Sequence, residues 1–261
     1  MRAELSSLAR PVAQTVARRL VAVGRLVDQD PEAALAHAVE ARRLASRIAG
    51  VREAVGLAAY HAGQWQLAIA ELRAYHRMSG RQTHLAVLAD SERALGRPER
   101  AIDIFRNADR SQLDQAGAVE LLIVAAGARR DLGQLDAAVA MLQVPELTST
   151  PDAPWAPRLR YAYADALLAA GRRDEAREWF ARAAEVDDDL ATDAVERLLD
   201  LDGVVLDDFE DDIEEDVEDD DVDDETGDAA DETGDAAEEV GDAEAGEAED
   251  HEKTEGEDPR E

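Results

Sequence analysis

The sequence contains no cysteine, so disulfides, zinc sites built on thiolates and thiol catalysis are excluded, and a reducing, cytoplasmic setting fits. Lysine is missing from residues 1–202, where every base is arginine, and a GK[ST] phosphate loop therefore cannot occur there. Neither a G-x-S-x-G elbow nor an H-E-x-x-H zinc helix is present. Long apolar runs are also missing. The stretch from Leu5 to Val27 is interrupted by Arg10, Gln14, Arg18, Arg19 and Arg25, which leaves neither a signal-type core nor a membrane span of about 20 residues. His37, His61, His76 and His84 are not set at metal-ligand spacing, and no glycine of the acidic stretch completes a D-x-D-x-D-G calcium loop. The expectation is a protein without catalytic residues, metal or cofactor.

Basic charge is scarce at one end. Residues 203–261 hold 31 of the 61 acidic residues against Lys253 and Arg260, a net charge of −29, whereas the remaining 202 residues carry only −4. The asymmetry predicts one folded domain, 1–202, and an acidic low-complexity tail, 203–261, most of it disordered because self-repulsion persists and little apolar surface offsets the ordering entropy. Within the tail, Leu206, Phe209, Ile213 and Val217 recur at steps of three and four, so a helix would gather them on one face. Further capping of the domain, a docking motif and chance all remain open for them. A body at −4 joined to a tail at −29 argues against direct nucleic-acid binding. The arginine pairs at 18 and 19, 42 and 43, 129 and 130, and 172 and 173 read more simply as local partners of Asp and Glu.

What the folded part does contain is a repeat. Gly63, Gly96, Gly133 and Gly171 are each followed five residues later by alanine, at Ala68, Ala101, Ala138 and Ala176. Glycine can take the left-handed backbone that ends a helix, and an alanine just beyond lets the next helix pack closely. With Ala34 as a fifth member the spacings are 34, 33, 37 and 38 residues. Small residues at Gly56, Ala89, Ala126 and Ala164 are expected to face those alanines. Pro145 must stop one helix near Gln143, and the proline-rich PELTSTPDAPWAP that follows reads as a loop anchored by Trp155. Trp65 and Trp179 read as core residues of second helices. Thr192 to Leu201 reads as a terminal cap.

In the last unit Tyr163, Ala164, Leu167, Gly171, Ala176, Phe180 and Ala183 stand where the tetratricopeptide pattern places its large and small residues, with Arg160 in place of its tryptophan. The second unit supplies Val55, Gly56, Ala59, Gly63, Ala68 and Leu72, and the third Leu85, Leu88, Ala89, Gly96, Ala101, Phe105 and Ala108. Over about residues 15 to 190 the chain resembles the tetratricopeptide repeat proteins, of a bacterial kind with an acidic C-terminal tail. The resemblance implies an all-α solenoid of about five helical hairpins with a capping helix, and a scaffold that holds a peptide or helix of another protein. In that family the first helix of each hairpin lines a concave groove, which implies Glu53, Tyr60, Asp90, Arg93, Arg130, Tyr161 and Asp165 as groove residues. Carboxylate capture by lysines and asparagines is excluded, since Asn107 is the only asparagine and lies in a second helix. An alternative role is that of a polyanionic chaperone, whose tail shields a basic, nucleic-acid-binding protein.

Overall fold

A computed structural model describes residues 2–150 and 152–204. The chain divides into a unit of Met1–Asp208 and one of Phe209–Glu261. Leu206, Phe209, Ile213 and Val217 lie outside the described residues, as does nearly all of the tail.

Every regular element described is helical. After a short α1 (Arg2–Leu5), five hairpins follow in chain order: α2 (Arg10–Leu26) with α3 (Pro31–Ala45), α4 (Ala49–His61) with α5 (Trp65–Ser79), α6 (Leu85–Ala94) with α7 (Pro98–Asn107), α8 (Gln115–Asp131) with α9 (Leu135–Leu142), and, beyond a short α10 (Glu146–Ser149), α11 (Ala156–Ala169) with α12 (Arg173–Ala184). The single helix α13 (Ala194–Asp202) packs on α12. First helices touch in series, α2 on α4, α4 on α6, α6 on α8 and α8 on α11, while each second helix packs on the first helix of the next hairpin. This is solenoid packing, in which each unit buries its apolar face only against its neighbours. The expected all-α architecture of five hairpins and a cap is the one observed, the cap running from Ala194 rather than Thr192.

Four hairpins turn in one way. Gly63, Gly96, Gly133 and Gly171 have φ between 67° and 77°. The glycine N–H donates to a carbonyl three residues back, and the next N–H to one five residues back, as in Gln64 to Ala59 (2.8 Å), Arg97 to Glu92 (2.9 Å), Gln134 to Arg129 (2.9 Å) and Arg172 to Leu167 (2.9 Å). The last carbonyls of each first helix are thereby satisfied. The first hairpin has no such glycine; there the Asp30 side chain accepts from the Ala33 amide at 2.9 Å and caps α3.

The alanines after the turns are buried, as are Ala89, Ala126 and Ala164 opposite them. Gly56 sits closest to its neighbour: a Cβ there would stand 2.7 Å from Leu72 Cγ. α9 ends at Leu142, as Pro145 demands. The segment beyond it is more ordered than a loop, because α10 seats Leu147 in the core beside Trp155, and both are buried. Arg160 is buried where the pattern has tryptophan, its Nε donating to the Leu147 carbonyl (3.3 Å) and its Nη1 to the Arg182 carbonyl (2.8 Å). A guanidinium thus staples α10 to α12. Trp65 and Trp179 are only half-buried; Trp65 lies edge-on to Tyr60, and Trp179 lies edge-on to Tyr163 with Arg182 over its face.

Candidate binding groove on the first helices

Five of the seven side chains implied as groove residues, Tyr60, Asp90, Arg93, Arg130 and Asp165, form a ladder across the hairpins. The Tyr60 hydroxyl of α4 donates to Asp90 Oδ2 of α6 at 2.8 Å, and Arg93 Nη1 donates to the other Asp90 oxygen at 3.0 Å. Arg93 Nε then reaches Asp131 Oδ2 at the end of α8 (2.8 Å). From the adjacent residue the ladder resumes, with Arg130 bonded to Asp165 of α11 and Arg197 of α13 lying 3.6 Å from the same carboxylate. Arg158 of α11 returns to Glu120 of α8 at 2.8 Å. Hydrogen bonds and ion pairs thus tie α4, α6, α8, α11 and α13 together, the steps between helices joining positions about one repeat apart.

Burial and pairing set the protonation of these groups. Burial pushes the Tyr60 phenol up, and the Asp90 carboxylate beside it adds to the effect. Tyr161 is pushed up to about 12, again by burial first and then by Asp193. Burial alone would lower the Arg93 guanidinium, but hydrogen bonding to Asp131 and the charge of Asp90 outweigh it and the net shift is upward. Burial raises the Glu120 carboxyl, while the charge of Arg158 works in the opposite direction.

Beyond the ladder lies a cavity of about 650 Å³ between α8, α11 and α13. Its floor is apolar, made by Ile123, Ala126, Leu142, Ala162 and Ala166, and its walls carry Arg93, Arg130, Arg158, Tyr161 and Asp165. Gly127 belongs to the wall as well, and a Cβ there would stand 2.8 Å from Arg93 Cζ, so the missing side chain is what lets that guanidinium lie across α8. Of the seven implied groove residues, Arg93, Arg130, Tyr161 and Asp165 line the cavity, and Tyr60 and Asp90 continue the ladder from it. Glu53 stands apart. It pairs with His84 at 2.7 Å, and that hydrogen bond first, with the charges of His84 and Arg81, holds its carboxyl below the ordinary value despite burial.

Leu190 was not among the residues read from sequence. It stands at the cavity mouth, 80% exposed, with φ at 51°. Asp187 holds this turn: its carboxylate accepts from the amides of Ala191 (2.7 Å) and Thr192 (2.8 Å) and from the Thr192 hydroxyl (2.5 Å). Burial alone would raise the Asp187 carboxyl, but those three bonds outweigh it and leave it lowered. A β-carbon residue at positive φ costs about 1 kcal/mol or more, and here that cost aims an isolated leucine at a cavity. The sequence signal was faint, an Asp-rich run ending in Leu190-Ala191-Thr192 just before a helix.

The arginine pairs are only partly local. Arg43 with Glu40 and Arg172 with Glu175 are i, i+3 contacts, whereas Arg42 reaches Glu71, and Arg130 reaches Asp165, in the next repeat. Among the described residues His37, His61, His76 and His84 contact Arg19, Asp28, Thr83 and Glu53 respectively, and no group of acids and histidines suited to a metal ion occurs there. No helix among the described residues is long and apolar enough to cross a membrane.

Residues 157–190 match a tetratricopeptide repeat. The matched segment is the fifth hairpin with its following turn, ending at Leu190 itself. No curated protein matches the chain. The match and the stack of like hairpins support a tetratricopeptide repeat protein, a fold that serves protein–protein interaction.

Proposed function

We propose that this chain is a non-enzymatic, cytoplasmic scaffold that holds a peptide or helix of another protein on its first-helix side, between α8, α11 and α13. The cavity of about 650 Å³ with an apolar floor carries this reading. Wall charges already paired with one another offer a ligand little net field, so the apolar floor supplies most of the attraction and the paired groups supply hydrogen bonds at the rim. The expected ligand therefore inserts one aliphatic or aromatic side chain, with Leu190 closing over it from the mouth. Glu196 and Asp193 at the edge favour a basic residue beside that anchor. Tyr60, Asp90 and Arg93 extend the surface for the rest of the peptide; Glu53 contributes only at its far end.

A photo-crosslinking residue at position 161 in the full-length chain tests this. It should capture a discrete protein from native lysate, and Ala162→Glu, which fills the cavity with a charge, should abolish capture without changing helical content. Equal capture by the Ala162→Glu chain refutes the assignment.

The charge of residues 203–261 supports a second role, in which the tail tunes solubility and partner choice and shields a basic, nucleic-acid-binding partner. Capture through the tail should fall steeply between 50 and 200 mM salt, on the order of 10³ for several contacts, whereas cavity binding should persist. Salt-independent capture that survives Ala162→Glu supports neither role.

A further inference from the structure

A second groove lies on the other side of the hairpins, between the second helices α5 and α7, and its chemistry is unlike that of the first. Its volume is about 720 Å³, and Leu85, Leu88, Ile104 and Ala108 give it an apolar base. Around that base stand Arg73, Arg77, Arg81 and Arg100, with Asp103 as the one acid. This is a concentration of positive charge in a body whose total is negative.

The cluster has a built foundation. Glu92 of α6 is fully buried, and Arg73 (2.8 Å), Arg97 (3.4 Å) and Arg100 (3.7 Å) converge on its two oxygens. One carboxylate therefore gathers three guanidiniums, each about half exposed, and two of them, Arg73 and Arg100, also line the groove. Asp103 is itself engaged by Arg106 at 3.8 Å. Arg77 has no side-chain partner among the described residues, and the Arg81 side chain acts only through space on Glu53. Unmatched guanidiniums above an apolar base select carboxylates that come with apolar side chains.

We propose that the α5–α7 groove docks an acidic segment of a partner protein, one that carries apolar side chains at helical spacing among its carboxylates. The carboxylates take the free donors of Arg77, Arg81, Arg73 and Arg100, with bidentate geometry available at each. The apolar side chains pack chiefly over the partly exposed Ile104 and Ala108, with Leu85 and Leu88 beneath them. A phosphate backbone would match the arginines but leave that base unused. This surface shares no residue with the α8–α11–α13 cavity.

The test uses the full-length chain and a fluorescein-labelled 18-residue peptide of glutamates with leucine at every third or fourth position. At about 0.1 M salt, anisotropy should rise saturably. The double variant Arg77→Glu/Arg81→Glu should weaken binding at least about tenfold, as should replacing the peptide's leucines with serine. Both arginines are exposed and outside the Glu92 cluster, so the variant's thermal melt should match the parent's. Arg130→Ala should leave binding unchanged. Absence of saturable binding, an unaffected double variant, loss on Arg130→Ala, or equal binding of a single-stranded oligonucleotide of the same charge would each overturn the proposal.

Discussion

Replacing Gly56 with alanine should destabilise the protein, although the same change at Gly24 should stabilise it. Both glycines lie in helices, where alanine is favoured by about 0.5–1 kcal/mol. At Gly24 nothing lies within 4 Å of an added Cβ, so the helical gain is undiminished. At Gly56 the Cβ meets Leu72 Cγ at 2.7 Å, Cδ2 at 2.8 Å and the Leu72 backbone nitrogen at 3.3 Å. Leu72 has no exposed surface into which to move, and the nearby backbone stops α4 from sliding past α5. Overpacking of this kind costs about 1–3 kcal/mol, and the upper half of that range less the helical gain leaves a net loss of about 1–2 kcal/mol. For a chain of this size the melting temperature should fall by about 2–8 °C for Gly56→Ala and rise by about 1–4 °C for Gly24→Ala. Thermal melts followed by far-UV circular dichroism, with urea midpoints as a second measure, decide it. A Gly56→Ala chain that melts at or above the parent temperature refutes the claim that residue size at this position sets the approach of α4 and α5.

Glu92→Ala should cost about 1–3 kcal/mol in urea unfolding, less than for an ion pair buried on both sides, because Arg73, Arg97 and Arg100 are about half exposed and can turn to water. Asp187 is ionised in the fold at lower pH than in the unfolded chain, so its bonds stabilise above the unfolded value of 3.8 and are lost as pH falls through the lower folded value. The gap in urea midpoint between parent and Asp187→Asn should therefore be full near neutrality and shrink in that acid range; a pH-independent gap contradicts the assignment. A double-mutant cycle on Arg130 and Asp165, both partly exposed, should return a coupling of about 0.5–1 kcal/mol by denaturant unfolding, and a value of zero would remove that rung from the ladder.

What could be read from the sequence was what local backbone chemistry dictates. A positive φ at Gly63 or Gly171 is a requirement of a few adjacent residues, and Pro145 forbids helix within its own turn, so hairpin ends were visible. Small residues at Ala89 and Ala164 were visible for the same reason, since they recur with the turns. The ladder was only half visible. Family geometry placed Arg130 and Asp165 on one side, but their pairing joins residues 35 apart, and no periodicity says whether a groove arginine is free or already bonded. Burial of Glu92 and Arg160 was hidden because charged residues are rarely enclosed, and each is enclosed only by virtue of partners elsewhere in the chain. Order in α10 was masked by three flanking prolines. Leu190 was masked by an unremarkable polar context, its conformation depending on a carboxylate three residues earlier.

The buried acid of the second hairpin restricts how this chain can change by recombination. Glu71 in α5 is bonded by Arg42 of the hairpin before it and by Arg52 of its own, while Arg73 of α5 reaches forward to Glu92 of the third hairpin. Where copies adhere by alanine and leucine alone, unequal crossover can drop or duplicate one and leave equivalent surfaces in contact. Excising the second copy here would separate Arg42 from its acceptor and Glu92 from one of its donors in a single event. The third copy would then meet the first with a buried carboxylate short of one guanidinium, opposite an arginine without a carboxylate. Copy number in the N-terminal half is thus fixed by electrostatics that a shared apolar consensus would not impose.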